Sequence, residues 1–148
     1  MYLVSSCLAG INCRYNGGNR KNKRIVELVR QGKAMAVCPE QLGGLSTPRP
    51  SCEIIVCESG NKKVVSKDGQ DFTKEFIKGA EKTLTIAKAI GIRKVILQSK
   101  SPSCGFGLIY DGTFSGKLIE GNGLTAELLS KNNIEVYTEN DLDMLDAD

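Results

Sequence analysis

Short apolar runs alternate with amphipathic segments along the chain, and the runs end in polar or glycine-rich loops. Three of these runs, Tyr2–Val4, Ala34–Val37 and Val95–Leu97, are typical of buried strands. Between them, apolar residues recur at helical spacing over residues 20–31 and again, as the strongest helical pattern, over residues 71–89. Strands that alternate with helices predict right-handed crossovers and a mainly parallel sheet.

Weaker patterns predict the remaining elements: a polar hairpin over residues 53–56 and 63–66, a turn-rich segment over 110–116, a helix of about eight residues after Gly123, and a final strand over 134–137. The acidic tail from about residue 139 is expected to fray or to dock as a small helical cap. We therefore predict a single α/β domain over residues 1–148, a three-layer sandwich with a Rossmann-like sheet.

Composition and charge exclude several classes of partner. At 148 residues and 41% hydrophobic content, the chain can bury a core without disulfides. The net charge of +3 is mild and the aromatic residues, at 5%, are not interleaved with basic ones, so we expect no nucleic-acid partner. No apolar stretch approaches the ~18 residues of a membrane span, so we expect no membrane partner. The expected location is a reducing cytoplasm, because no signal peptide is recognisable.

Six cysteines and no histidine restrict the chemistry further. In a reducing compartment, thiols favour metal or catalytic roles over disulfides. The lack of histidine removes histidine bases, Cys–His pairs and histidine-containing zinc sites. One cysteine, Cys57, ends an apolar run and is predicted to belong to the core.

Three other cysteines follow the carboxyl ends of predicted parallel strands: Cys7, Cys38 and Cys104. Ligands of such sheets bind at this edge, because the loops gather there. Cys104 lies in a loop of serines, proline and glycines, where a thiol is not expected merely to fill the core. Three thiols at one sheet edge can form a shared site without a local motif such as C-x-x-C.

Thiolates without imidazole select zinc, copper(I) or an iron–sulfur cluster. A structural zinc ion needs four ligands, so Cys13 or Cys52 would have to complete a zinc site. A [4Fe-4S] cluster held by three cysteines leaves one iron without a protein ligand, able to act as a Lewis acid. The pattern alone leaves three possibilities open: a three-cysteine metal or cluster site, a zinc or thiol redox site, and cysteines without a shared role.

Five motifs carry a resemblance to a known family: S-S-C-L-A-G at residues 5–10, C-R-Y-N-G at 13–17, C-P-E with L-G-G and T-P-R-P at 38–50, S-P-S-C-G at 101–105, and Y-D-G-T-F at 110–114. With them the chain resembles the DUF523 family, which includes bacterial thiouracil desulfidases. The resemblance implies a [4Fe-4S] cluster on Cys7, Cys38 and Cys104. It also implies an iron–sulfur desulfidase that removes sulfur hydrolytically from a small thiocarbonyl heterocycle and releases hydrosulfide.

The resemblance further points to three catalytic residues, Glu40, Ser101 and Ser103. Glu40 is expected to activate the attacking water and return a proton, the alternative being a carboxylate that only caps the following loop. Ser101 and Ser103 are expected to hydrogen-bond the substrate or the reacting carbon centre, or else to shape the loop as turn formers.

Three cations are predicted to bind substrate: Arg14, Arg49 and Lys100. Guanidinium groups suit carbonyl and carboxylate edges, although most arginines and loop lysines are simply solvated.

Departures from the family pattern keep two other functions open. Cys13 stands where valine is common, Ser51-Cys52 replaces a Pro-Ala pair, and Asn16 stands where aspartate is common. Cys13 or Cys52 could receive sulfur in a non-catalytic sulfur, metal or cluster carrier, or could complete a structural zinc module.

Overall fold

The computed structural model describes residues 1–145, so the last three residues of the predicted acidic tail lie outside the described part. Within these residues, eight strands occur in the order β1 (Tyr2–Ser5), β2 (Ala34–Val37), β3 (Cys52–Val56), β4 (Lys62–Ser66), β5 (Lys94–Leu97), β6 (Leu108–Tyr110), β7 (Leu118–Glu120) and β8 (Glu135–Thr138). The helices are α1 (Lys23–Arg30), α2 (Pro39–Leu42), α3 (Thr73–Ile90) and α4 (Leu124–Lys131), with 3₁₀ helices at Ser6–Ala9 and Glu139–Met144.

The central sheet has four parallel strands in the order β2-β1-β5-β8. Two antiparallel hairpins, β3–β4 and β6–β7, lie outside it. The order places β2, β1 and β5 side by side, so the loops after these three strands leave the sheet at neighbouring points.

Helices cover both faces of the sheet. Because side chains alternate along a strand, Leu3 packs on one face in a cluster with Ala87 of α3, whereas Val4 packs on the other face with Ile25 of α1 and Leu142 of the last 3₁₀ helix. Burial on both faces explains why these strands are continuous apolar runs rather than alternating ones. The predicted three-layer α/β architecture is confirmed.

Close packing of α2 against α3 holds the segment after β2 in place. Gly43 at the end of α2 lies against the backbone of Glu75, and Gly79 of α3 lies against the carbonyl of Pro39. A Cβ atom on either glycine would collide with those backbone atoms. The backbones can therefore approach only because both positions are glycine.

The sequence pattern does not predict three short elements: the first 3₁₀ helix, α2 and the β6–β7 hairpin. Each helix or strand among them has only three or four residues, which is too short to show a periodic pattern.

The prediction for Cys57 is wrong, because this residue is only half-buried at the end of a two-stranded hairpin, beside Val56, which is 67% exposed. The described part of the acidic tail docks as a helical cap through the buried Leu142. No helix among residues 1–145 is long and apolar enough to cross a membrane.

Candidate active site

The three strand-end cysteines line one cavity of about 160 Å³. Cys38 directly follows β2, Cys7 lies in the 3₁₀ helix after β1, and Cys104 lies in the loop after β5. Since these strands are neighbours, residues far apart in sequence meet at the carboxyl edge of the sheet. The predicted convergence of Cys7, Cys38 and Cys104 agrees with this arrangement.

The loop after β5 is folded by its own polar groups. The hydroxyl of Ser101 accepts a hydrogen bond from the backbone N–H of Cys104 at 2.6 Å, and the carbonyl of Ser101 accepts one from Gly105 at 2.9 Å. A Cβ atom at Gly105 would lie 2.7 Å from that carbonyl. Serine and glycine are therefore needed at these positions to direct Cys104 towards the cavity.

The backbone of Cys7 is fixed in a similar way. Its carbonyl accepts hydrogen bonds from Gly10 at 3.2 Å and from Arg20 at 2.9 Å, and Gly10 has a left-handed φ of 92° that ends the 3₁₀ helix. Cys38 precedes α2 as its N-cap residue, with Pro39 at the first helical position. All three thiols thus lie at the junctions between regular elements.

Burial and neighbouring groups raise the pKa of two of these thiols, Cys38 and Cys104. Burial raises the pKa of Cys104 to about 12, although a hydrogen bond from Ser5 opposes this shift. The interaction with the Cys13 thiol, followed by burial, raises the pKa of Cys38 well above its usual range. These thiols are therefore protonated at neutral pH in the metal-free protein, so a bound metal must displace their protons.

Two further cysteines line the same cavity, Cys13 and Cys52. Cys13 is 2% exposed and contacts both Cys7 and Cys38. The interaction with Cys38 lowers the pKa of Cys13, but the interaction with Cys7 and burial raise it, with a net value of about 11. Cys52 is half-buried at the start of β3, and burial together with the charge of Glu40 raises its pKa to about 12.

The donor set around the cavity fits a [4Fe-4S] cluster. Within residues 1–145, no three Cys, Asp or Glu side chains lie close enough together to hold one metal ion. A structural zinc site would need four such ligands around one point. In a [4Fe-4S] cluster each cysteine binds a different iron, so the thiols surround a volume instead. Three thiols on the wall of one cavity, with no imidazole in the chain, match that requirement.

Glu40 and Arg49 form a buried ion pair on the cavity wall. Nε and Nη2 of Arg49 both contact Oε2 of Glu40, at 2.7 and 2.6 Å. The other donors of Arg49 bind the carbonyls of Ser46 and Cys13 and the hydroxyl of Thr47, at 2.9–3.2 Å. Arg49 thus donates four hydrogen bonds to the protein, and its side chain is only 5% exposed. Arg49 lines the cavity, so its contact with substrate stays a prediction, although these contacts give it a role in holding Glu40.

The second oxygen of Glu40 is free. Oε1 accepts no hydrogen bond from the described residues, and no fully buried side-chain oxygen among them lacks a partner. Oε1 is therefore accessible from the cavity that Glu40 lines. This position is suitable for a group that exchanges protons with a molecule in the cavity.

Arg14 and Lys100 line the cavity as predicted for substrate-binding cations. The guanidinium of Arg14 lies 5.5 Å from the centre of the Tyr15 ring. Lys100 is exposed and has a left-handed φ of 71°. Neither side chain forms an ion pair within the described part of the chain, so both remain able to contact a ligand.

The two predicted catalytic serines occupy different environments. Ser101 lines the cavity, whereas Ser103 is 1% exposed, does not line it, and shares a hydrogen bond of 2.8 Å with Thr125 of α4. The expectation that Ser103 faces the substrate does not agree with this position. Its hydroxyl instead joins the Cys104 loop to α4 through Thr125 and lies 3.9 Å from Sγ of Cys104.

Other cavity residues are not singled out by the sequence: Ser5, Gln98, Ser99 and Glu139. Both carboxylate oxygens of Glu139 accept hydrogen bonds from Ser99, from its N–H at 2.8 Å and its hydroxyl at 2.9 Å. Glu139 directly follows β8, so the rule that selects the strand-end cysteines also applies to it.

Comparisons with known proteins agree with the cavity's chemistry. The family model for 2-thiouracil desulfurase matches residues 2–141. An uncharacterized protein, YbbK of Bacillus subtilis (strain 168), is 50% identical over 147 residues, which cover 96% of this chain and 97% of YbbK. A solved structure of TudS, described as a [4Fe-4S]-dependent thiouracil desulfidase of the DUF523 type, superposes with a TM-score of 0.89 at 41% identity, covering 97% of this chain and 93% of TudS.

Proposed function

The chain belongs to the 2-thiouracil desulfurase family, and we propose that it is a [4Fe-4S]-dependent desulfidase acting on a small thiocarbonyl heterocycle of the thiouracil type. The reaction consumes the thiocarbonyl compound and one water, and yields the carbonyl compound and hydrosulfide with a proton. The observation that carries the proposal is one cavity lined by three strand-end thiols and a carboxylate with a free oxygen.

The residues proposed to hold the cluster are Cys7, Cys38 and Cys104. A cluster bound in this way supplies an iron without a protein ligand, which polarises the thiocarbonyl group by acting as a Lewis acid on its sulfur. The thiols lose their protons when the cluster binds. All six cysteines of the chain are unpaired, in agreement with a reducing cytoplasm as the proposed location.

Glu40 is the proposed general base. Its Oε1 takes a proton from the attacking water and returns it to the departing sulfur. Arg49 acts on this step through Glu40, because its Nε donates a hydrogen bond to Oε2 and its Nη2 lies 2.6 Å from the same oxygen, which leaves Oε1 without a partner among the described residues. We propose Arg49 as a positioning residue rather than a substrate-binding one.

Ser101, Arg14 and Lys100 are the proposed substrate-binding residues. The hydroxyl oxygen of Ser101 accepts a hydrogen bond from the backbone N–H of Cys104. The O–H of Ser101 is therefore able to donate a hydrogen bond into the cavity. The cationic Arg14 and Lys100 line the same cavity and suit the carbonyl oxygen of a pyrimidine-like ring. Arg14 and Lys100 form no ion pair with Glu40, which is paired with Arg49.

The experiment is a turnover assay with anaerobically reconstituted protein and 2-thiouracil. We expect equal amounts of hydrosulfide and uracil from the wild type, and a loss of about 100-fold in kcat for Glu40→Gln at unchanged iron content. A loaded protein that releases no hydrosulfide from 2-thiouracil or other thiocarbonyl heterocycles would contradict the proposal. If labelled sulfur instead accumulates on Cys13 or Cys52, the protein is a carrier.

A further inference from the structure

Ser5 donates a hydrogen bond to one of the cavity thiols. Its hydroxyl lies 3.4 Å from Sγ of Cys104, and both residues are buried, with 3% and 6% exposure. Ser5 is the last residue of β1, next to β5, whose continuation carries the Cys104 loop. The contact therefore joins neighbouring strand ends.

The direction of this hydrogen bond is determined by a third residue. The backbone N–H of Gln98 donates to the Ser5 oxygen at 2.9 Å. Because the oxygen accepts there, the hydroxyl proton of Ser5 is available for the sulfur of Cys104. The donor is thus held in place before any ligand binds.

Gln98 also contacts a second thiol. The thiol of Cys7 donates to Oε1 of Gln98 at 3.6 Å. When Cys7 has lost its proton, the opposite orientation of the same amide presents Nε2–H to the sulfur instead. Ser5 and Gln98 together therefore hydrogen-bond to two of the three proposed cluster ligands, Cys104 and Cys7.

We propose that the Ser5 hydroxyl tunes the cluster through the Cys104 thiolate. A hydrogen bond to a coordinating sulfur withdraws electron density from it, which raises the reduction potential of the cluster and strengthens the Lewis acidity of its iron. The inference rests on the proposed function, because it requires Cys104 to be a cluster ligand. It assigns Ser5 an electronic role that the desulfuration scheme does not include.

The test is the midpoint potential of the reconstituted cluster in wild type, Ser5→Ala, Ser5→Thr and Ser66→Ala. Ser66 is a matched control, since it is also 3% exposed and its hydroxyl also accepts a backbone N–H, from Gln70 at 3.0 Å. We expect Ser5→Ala to shift the potential to a lower value, while Ser5→Thr and Ser66→Ala remain at the wild-type value. Equal potentials in Ser5→Ala and Ser66→Ala would overturn the inference.

A measurement on the wild type covers the case in which Ser5→Ala assembles no cluster. We expect the Fe–S(Cys) stretching bands in resonance Raman spectra to shift between H₂O and D₂O, and this shift to persist in Ser5→Thr. Bands that do not move on exchange would also overturn the inference. A wild type that assembles no [4Fe-4S] cluster would instead contradict the proposed function itself.

Discussion

Oε2 of Glu40 accepts a hydrogen bond from Nε of Arg49 at 2.7 Å and lies 2.6 Å from Nη2 in the same ion pair. Both side chains are largely buried, at 15% and 5% exposure, so the pair is shielded from solvent. The same guanidinium also binds the carbonyl of Cys13 at 2.9 Å. One arginine thus links the carboxylate after β2 to the loop that follows β1.

Arg49→Lys tests whether this arginine positions Glu40 or binds substrate. Lysine keeps the charge but cannot reproduce five donors in a fixed planar arrangement. We expect kcat to fall by about 10-fold or more with little change in KM, because a group that acts only through the general base affects the chemical step. Steady-state kinetics at equal iron content measure both constants. Arg14→Lys is the matched control and should raise KM; a rise in KM alone for Arg49→Lys would contradict the positioning role.

Of the two loop serines, Ser101 should affect catalysis and Ser103 should affect the stability of the fold. Ser103→Ala leaves the buried hydroxyl of Thr125 without its partner, which should cost about 1–3 kcal/mol of unfolding free energy with kcat unchanged. Ser101→Ala removes a donor from the cavity and should lower kcat/KM. Urea unfolding and kinetics on both variants check this assignment. A large loss of kcat in Ser103→Ala would restore its predicted catalytic role.

Gly79→Ala should weaken the junction of α2 and α3. The added methyl group would collide with the carbonyl of Pro39, beside the proposed ligand Cys38. We expect a loss of about 1–3 kcal/mol in unfolding free energy, because neither backbone can move without repacking. Lys78→Ala, an exposed neighbour on the same helix, is the control. Equal unfolding midpoints of the two variants in urea would disagree with the tight helix contact.

The stability of the metal-free protein should decrease in acid partly through Glu127. A hydrogen bond of 2.6 Å from Asn122 is the main cause that lowers the pKa of Glu127, and Asn122 also binds the N–H of Gly107 in the Cys104 loop. A pKa below its unfolded value of 4.5 stabilises the fold above that pH, and this contribution is lost as the pH falls through the folded pKa. Glu127→Gln should therefore show a shallower loss of unfolding free energy between about pH 5 and pH 3. Parallel curves for the two proteins would contradict this role.

The sequence predicts the parts of the fold and site that depend on repeated or topological patterns. The apolar runs ending at Val4 and Leu97 are buried on both faces, whereas the edge strand β2 leaves Met35 38% exposed. The positions of all three strands in a parallel sheet bring Cys7, Cys38 and Cys104 to one edge. The periodic pattern of α3 predicted its bounds to within a few residues. These features follow from burial and chain connectivity alone.

The remaining features depend on individual side-chain partners. The engagement of Arg49 by Glu40, Ser46 and Cys13 follows from how two loops pack, which no periodicity records. Ser101 and Ser103 are two residues apart in the same motif, yet only the first lines the cavity, because α4 covers the second. Such assignments require the tertiary contacts themselves.

Three strand-end cysteines are the proposed ligands of one [4Fe-4S] cluster. The most direct test of this assignment is an iron and sulfide analysis after anaerobic reconstitution of the wild type, Cys7→Ser, Cys38→Ser, Cys104→Ser and Cys57→Ser. We expect about four iron and four sulfide per chain in the wild type and in Cys57→Ser, and loss of the cluster in each of the other three. A colourless wild type with one zinc ion, or a full cluster in any of those three variants, would contradict this assignment.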